Sequence, residues 1–218
     1  MNKDLRHPYR QGYGRFASAK SDEFAPPKTE SVSKNGMTEK DVTLVNMPTH
    51  QAAQTLASGD VAAIVAWQPN SGAALELVKG SRELYTSADE PGIIYDTLAV
   101  SAESLLKHRA EWSKVVAAWY DVIDYLNDPA NRDEAMKILA ARVGVTPEKY
   151  ATYMKGTRFL TAGEAMKIFR KADGFGSVYG SSAITDKFFV DNKIYKENVN
   201  ISRCIDPSFT RAYLKGKK

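Results

Sequence analysis

One cysteine, Cys204, and three histidines, His7, His50 and His108, are all that 218 residues offer of the side chains most used in metal binding and nucleophilic chemistry. An internal disulfide needs two cysteines, so none can form, and no Cys or His stands at metal-ligand spacing to Cys204. The histidines fall in different predicted elements, and no nucleophile-and-base pair stands out. The expectation is a chain with no metal, no cofactor and no catalytic activity. Long apolar runs are missing as well: nothing approaches the roughly 20 consecutive apolar residues that span a bilayer. Residues 1–16 carry charge and aromatics but neither the continuous apolar stretch nor the small-residue cleavage pattern of a secretory signal, so the chain expressed as given is expected in the cytoplasm. Nor is there a sustained basic block. Thirty Lys and Arg against 26 Asp and Glu give a net charge of +4, scattered except for Lys215, Lys217 and Lys218, which argues against a nucleic-acid partner. No internal repeat signals a solenoid.

What remains is the composition of a folded globular chain: 43% hydrophobic and 26% charged residues. A chain of this size buries roughly 70% of the surface its unfolded form exposes, enough for one large domain or two small lobes without covalent staples. Residues 1–36, with Pro26 and Pro27 and no hydrophobic period, read as a poorly ordered segment. From Met37 short apolar strands alternate with amphipathic helices, the grammar of an α/β lobe over 37–100. The β-branched run Asp41 to Asn46 predicts a strand, and His50 to Ser58 predicts a helix that Gly59 closes. Asp60 to Trp67 is nearly continuously apolar and predicts a parallel strand covered on both faces. A helix is expected over Ser71 to Lys79, then a strand over Ile93 to Val100, in which polar Asp96 is the odd residue.

The remainder, 101–218, reads as mostly helical. Trp112, Val115, Val116, Trp119, Ile123 and Leu126 mark the core face of one long helix from Ala102 to Asn127. Asp128 with Pro129 supplies a start for the next helix, with Ala135, Ile138 and Leu139 as its buried stripe and Gly144 as its stop. Thr146 and Pro147 repeat the device. Thr161 and Glu164 form a capping box, and Ser182 to Asn192 makes one more helix.

Read in order, Gly36 to Val42, Pro48, Gly59 and Trp67-Gln68-Pro69 resemble the second lobe of the nitrate, sulfonate and taurine binding-protein family. Members show a Gly-(Leu/Met)-x-x-x-Asp-Val opening, a strand ending near Pro, a helix ending in Gly, and an apolar strand closing in Trp-x-Pro. The resemblance continues through Tyr95-Asp96-Thr97, the helix Trp112 to Leu126, Asp128-Pro129, the stretch Gly156 to Thr161, and the ending Ile205 to Phe209, covering about residues 36–214. It implies an incomplete type II periplasmic-binding-protein fold, with one α/β lobe plus a helical C-terminal half. Two features depart from the family. Its first lobe, with an anion-holding Gly-(Thr/Ser)-x-Gly turn, normally precedes this region, where the chain reads Lys28 to Lys34, so residues 1–36 are expected to be foreign to the fold. Ala62 stands where an acidic residue is common.

The resemblance further implies a substrate-binding component of an ABC importer, here in a truncated form, with a small anionic or zwitterionic solute, a membrane permease as partner, and a periplasmic location. It leaves taurine, alkylsulfonates, nitrate, bicarbonate, aromatic acids and pyrimidines open as solutes. An alternative of the same fold is a protein that binds or synthesises the thiamine-pyrimidine precursor; it would need catalytic His and Cys residues, and those of this chain lie outside the cleft motifs. A sensing half of a transcription regulator would need a helix-turn-helix pattern at the N-terminus, which residues 1–36 lack.

The candidate ligand-binding residues follow from position. Trp67, Gln68 and Pro69 lie beyond the carboxyl end of a parallel strand, where open α/β sheets place ligand crevices. Trp67 is either a cover for the solute's apolar part or a core residue, while Gln68 offers a donor and an acceptor. Tyr95, Asp96 and Thr97 sit where the family's chain returns to its first lobe; the Asp96 carboxylate would suit an amine, or else caps a turn or pairs with an arginine. Thr49 and Gln51 open a helix after Pro48, with Thr49 as its N-cap or as a group facing an anion. Arg158 has the donor fork for a sulfonate, but a lone arginine between helices more often anchors carbonyls or carboxylates.

Overall fold

The structure is a computed structural model that describes residues 14–18, 32–34 and 36–217. The chain divides into two compact units, the first formed by Met1–Glu90 with Phe188–Lys196 and the second by Pro91–Lys187 with Glu197–Lys218.

The first unit is built on a three-stranded parallel sheet, β1 (Gly14–Ser18), β2 (Val42–Asn46) and β3 (Ala63–Val65), in the order β2-β1-β3. Strand β1 pairs along its whole length with β2, from Gly14 opposite Val42 to Ser18 opposite Asn46, and from Phe16 onward with β3. It lies inside the segment read as poorly ordered. Gly, Arg, Ala and Ser carry little strand propensity, and what makes the strand is pairing with two partners that are remote in sequence, which local pattern does not register. The remainder of 1–31 lies outside the described residues.

Upstream of β2, the Asp41 carboxylate accepts from both the N–H and the hydroxyl of Thr38, each at 2.8 Å, and these bonds hold the Asp41 pKa below the ordinary carboxylate value. The crossover from β2 to β3 runs through a 3-10 turn, Thr49–Gln51, and helix α1 (Ala52–Ser58), which Gly59 closes at φ 81°. Strand β3 is shorter than the predicted Asp60–Trp67 run and only half-buried along its length. Among the described residues it is an edge strand that pairs on one side, and its half-buried side chains show that the covering expected on both faces is incomplete. Helix α2 (Asn70–Leu77) follows and packs on α1, with Ala52, Val61 and Ala74 buried.

In the second unit, Ile93 to Val100 joins no sheet and makes no backbone hydrogen bond among the described residues, contrary to the predicted strand. Ile93 is buried, whereas Leu98 is 61% exposed. The long helix expected from Ala102 breaks at His108 into α3 (Ala102–Lys107) and α4 (Arg109–Asn127), with Ser101 capping α3 through a 3.1 Å bond from the Ser104 N–H. The core face of α4 is also rotated from the one predicted: Val116, Tyr120 and Ile123 point inward, and Trp119 is 52% exposed. The tyrosine can occupy the core because its hydroxyl finds a buried partner, Thr210 Oγ1 at 2.8 Å.

Asp128 forms a turn, accepting from the Ala130 N–H at 2.9 Å, and α5 (Arg132–Val143) starts only after it. Ala135 and Ala140 are its buried residues, and Ile138 faces out. Thr146 caps α6 (Pro147–Met154), and the predicted capping box opens α7 (Ala162–Ile168). Helix α8 (Val178–Asp191) begins four residues earlier than expected. Ser177, 1% exposed, accepts from the Tyr179 N–H at 3.1 Å and donates to the Arg170 carbonyl at 2.6 Å. After α9 (Ile201–Cys204), helix α10 (Ser208–Gly216) closes the unit by packing on α4 and α7, around Tyr120, Ala162 and Ala165. The start of α10 is fixed by Asp206, which accepts from the Ser208 N–H at 2.9 Å and pairs with Arg109 at 3.3 Å, while the Arg109 guanidinium lies over Phe209.

Two expectations follow. A methyl group at Gly180 would collide with the backbone of Gly174 and the Ala172 carbonyl, whereas one at Gly163, in α7, would meet nothing within 4 Å. Gly180→Ala should cost about 1–3 kcal/mol in denaturant unfolding, and Gly163→Ala should stabilise by about 0.5–1 kcal/mol. In hydrogen exchange, the amides of Ile93 to Val100 should exchange far faster than those of α4.

Candidate functional site

The parallel register places the carboxyl ends of the three strands level, with Asn46 and Val65 both opposite Ser18. At a strand spacing of about 4.8 Å, the chains leaving β2 and β3 emerge roughly 10 Å apart on one edge of the sheet. The order β2-β1-β3 also means that the chain passes from one side of β1 to the other, which makes this edge a topological switch point, the usual seat of a ligand crevice in open α/β sheets. Of the sequence-predicted residues, Thr49 and Gln51 leave β2 at this edge, and Trp67, Gln68 and Pro69 leave β3.

Trp67 is 42% exposed, which excludes the alternative of a core tryptophan. Its carbonyl accepts from the Ser71 N–H at 3.1 Å and that of Pro69 from Ala73 at 3.0 Å, so Trp67 to Pro69 winds directly into the first turn of α2. The Gln68–Pro69 peptide is cis, and Pro69 occupies the N-cap position of α2 without any side-chain cap. With Ser71 and Ala73 bonded, the N–H groups of Asn70 and Gly72 make no backbone hydrogen bond among the described residues and remain for an external acceptor. Gln68 is half-buried, and its Oε1 is buried without a hydrogen bond among the described residues. The amide lies over Gly72, where a Cβ would approach Oε1 to 2.7 Å, so only glycine leaves this orientation open. A buried carbonyl oxygen with no donor costs about 1–3 kcal/mol, which a donor-bearing ligand would recover. Sequence reasoning found Gln68 by position but missed Gly72, whose signal is its place four residues after Gln68 on a helix.

Pro48, not Thr49, takes the N-cap of the 3-10 turn, because the residue before the turn is the one in extended conformation; Thr49 is half-buried and Gln51 exposed.

Tyr95, Asp96 and Thr97 belong to the second unit. The Tyr95 hydroxyl donates to the Phe175 carbonyl at 2.7 Å, and burial pushes its pKa above the ordinary phenol value; this bond anchors the loop before α8. Asp96 and Thr97 are exposed. Arg158 is committed to Glu164 at 2.7 Å, and the Glu164 carboxylate also accepts from the N–H and hydroxyl of Thr161, both at 2.9 Å. Those bonds, the Thr161 backbone bond first, lower the Glu164 pKa to about 2. Arg158 thus anchors a capping box, the structural alternative to a sulfonate contact. Among the described residues, no group of three or more His, Cys, Asp and Glu could hold a metal ion, and no helix is long and apolar enough to cross a membrane.

Comparison with known proteins agrees with this architecture. Residues 27–140 match the NMT1-like family. The fold is similar to that of the periplasmic aliphatic sulphonate binding protein SsuA from Escherichia coli, with a TM-score of 0.65 at 18% identity over 90% of this chain. The chain spans 59% of that protein's length. A second similar structure is a point mutant of DSZB in complex with biphenyl-2-sulfinic acid, with a TM-score of 0.56 at 16% identity over 94% of this chain and 71% of that one. No curated protein matches the chain. These likenesses identify the fold as that of a type II periplasmic binding protein, an α/β region followed by a mostly helical half.

The orphaned Gln68 oxygen has a measurable consequence. Gln68→Met keeps the side chain's length and removes the acceptor, so the ligand-free protein should gain about 1 kcal/mol in denaturant unfolding; an unchanged or lowered stability would show that Oε1 is satisfied in solution.

Proposed function

The chain belongs to the NMT1-like family, and from that premise we propose that it binds a small solute carrying a sulfonate group, taurine or an alkylsulfonate ahead of nitrate, as the substrate-binding component of an ABC importer. The observation that carries the proposal is the switch-point edge, where an exposed indole, a buried amide oxygen lacking a donor and an uncapped helix start come from one short segment, Trp67 to Asn70. Each group has a complement in an aminosulfonate. The Trp67 ring covers the methylene body, the solute's ammonium supplies the donor missing at Gln68, and the first N–H groups of α2 favour the anionic head, helped by the helix dipole. Thr49 and Gln51 border the same edge. In the second unit, taken by itself, the exposed Asp96 carboxylate beside Thr97 is suited to an ammonium group.

Two similar folds whose names carry an aliphatic sulphonate and a sulfinic acid support sulfur oxyanions over the other solutes. The mechanism is capture without a covalent step: the solute binds the conformation in which these groups converge and shifts the population towards it. A membrane permease as receiver and the periplasm as place of action complete the proposal.

Thermal unfolding with taurine, alkylsulfonates, nitrate and bicarbonate at millimolar concentration tests it. A sulfonate present at about 100 times its Kd should stabilise by about 2.7 kcal/mol, and Trp67→Ala should remove most of that gain while leaving the ligand-free midpoint close to wild type. A chain stabilised by none of these solutes, or one in which Trp67→Ala and Gln68→Ala both keep the full gain, would refute the assignment.

A further inference from the structure

An open-sided surface cavity of about 440 Å³ in the second unit is lined by Met166, Arg211, Leu214, Lys215 and Lys217. Its volume falls within the range of small-ligand sites. The ionisable side chains of this lining are all cationic. Arg211, Leu214 and Lys215 stand at i, i+3 and i+4 on α10 and so share one face. Met166 comes from α7. The walls are held by the core, since Leu214 and Tyr213 pack against the cluster of Tyr120, Ala162 and Ala165.

The three cations are not equivalent. Lys217 is held by Asp124 at 2.5 Å and Asp121 at 3.5 Å and lies over the Tyr213 ring, so its charge is largely balanced within the fold. Arg211 and Lys215 are exposed and form no ion pair among the described residues. A guanidinium and an ammonium one helical turn apart match the oxygens of a single oxyanion. Met166 and Leu214 beside them offer apolar surface to a tail, the thioether adapting to its shape.

We infer that this cavity is a second binding site, for a soluble amphiphilic anion: an oxyanion head held by Arg211 and Lys215 with a short alkyl chain against Met166 and Leu214. It shares no residue with the Trp67–Gln68–Pro69 segment, and it stands whether or not the proposed solute binds there.

Because an alkylsulfonate is also a proposed solute of the Trp67 segment, the test is a calorimetric titration of the full chain carrying Trp67→Ala with octane-1-sulfonate below its micellar concentration, with inorganic sulfate and octanol as the head-only and tail-only controls. Saturable binding is expected, with both controls weaker by about tenfold or more, because each forgoes one half of the contacts. Added to that background, the double variant Arg211→Gln with Lys215→Gln should weaken the octanesulfonate affinity by about tenfold or more. Both replaced residues are exposed, so circular dichroism of the variant should match wild type. Binding that is absent in the Trp67→Ala background, or that survives the added double variant, would overturn the inference. Attachment to anionic phospholipid vesicles without binding of the monomeric sulfonate would overturn it too, since the lysines would then act as a membrane-facing charge.

Discussion

The first unit depends on one strand finding two partners. Gly14–Ser18 pairs with Val42–Asn46 on one side and with Ala63–Val65 on the other, and those two strands pair with nothing else among the described residues. Without it the sheet has no middle, the carboxyl ends of β2 and β3 are not brought level, and Thr49 and Trp67 have no common edge. The strand contributes little through propensity. Its stability comes from backbone pairing on both edges, and the entropy of closing a long loop opposes that pairing.

The second unit relies on short polar links that fix where helices begin. Ser177 under α8, Thr161 with Glu164 at α7, and Asp206 at α10 each satisfy backbone N–H groups that a helix start leaves over. The buried bond between Tyr120 and Thr210 then ties α4 to α10. Arg109 and Arg158, two donor forks that an oxyanion could have used, are consumed in this scaffold: one holds Asp206 and the other Glu164.

What the sequence made legible was local chemistry. The strand at Val42, the helix closed by Gly59, the Thr146 cap, the Thr161–Glu164 box and the stop at Gly144 all depend on residues close to one another along the chain. The expectations that failed depended on distant partners. Strand β1 exists through β2 and β3. The β-branched run from Ile93 is unpaired among the described residues, because strand propensity prepares a segment for a ladder without providing its neighbour. On α4 the apolar pattern favoured Trp119 as the inward residue, but Thr210 on α10 made room for a tyrosine instead. At the candidate site, the place of Trp67, Gln68 and Pro69 after a parallel strand could be read directly. The unsatisfied Gln68 oxygen could not, since satisfaction is a property of surroundings.

The central claim is that solute is held at the switch-point edge by the segment starting at Trp67. The chain's three tryptophans allow a direct measurement, the indole N–H signals in two-dimensional NMR during titration with taurine and with an alkylsulfonate. Trp112 donates to Ser104 Oγ at 3.0 Å, and Trp119 lies edge-on to Phe159, both within the second unit. The account predicts that the Trp67 signal moves saturably with sulfonate while the Trp112 signal stays in place. A saturable shift of Trp112 or Trp119 with Trp67 unmoved would contradict it.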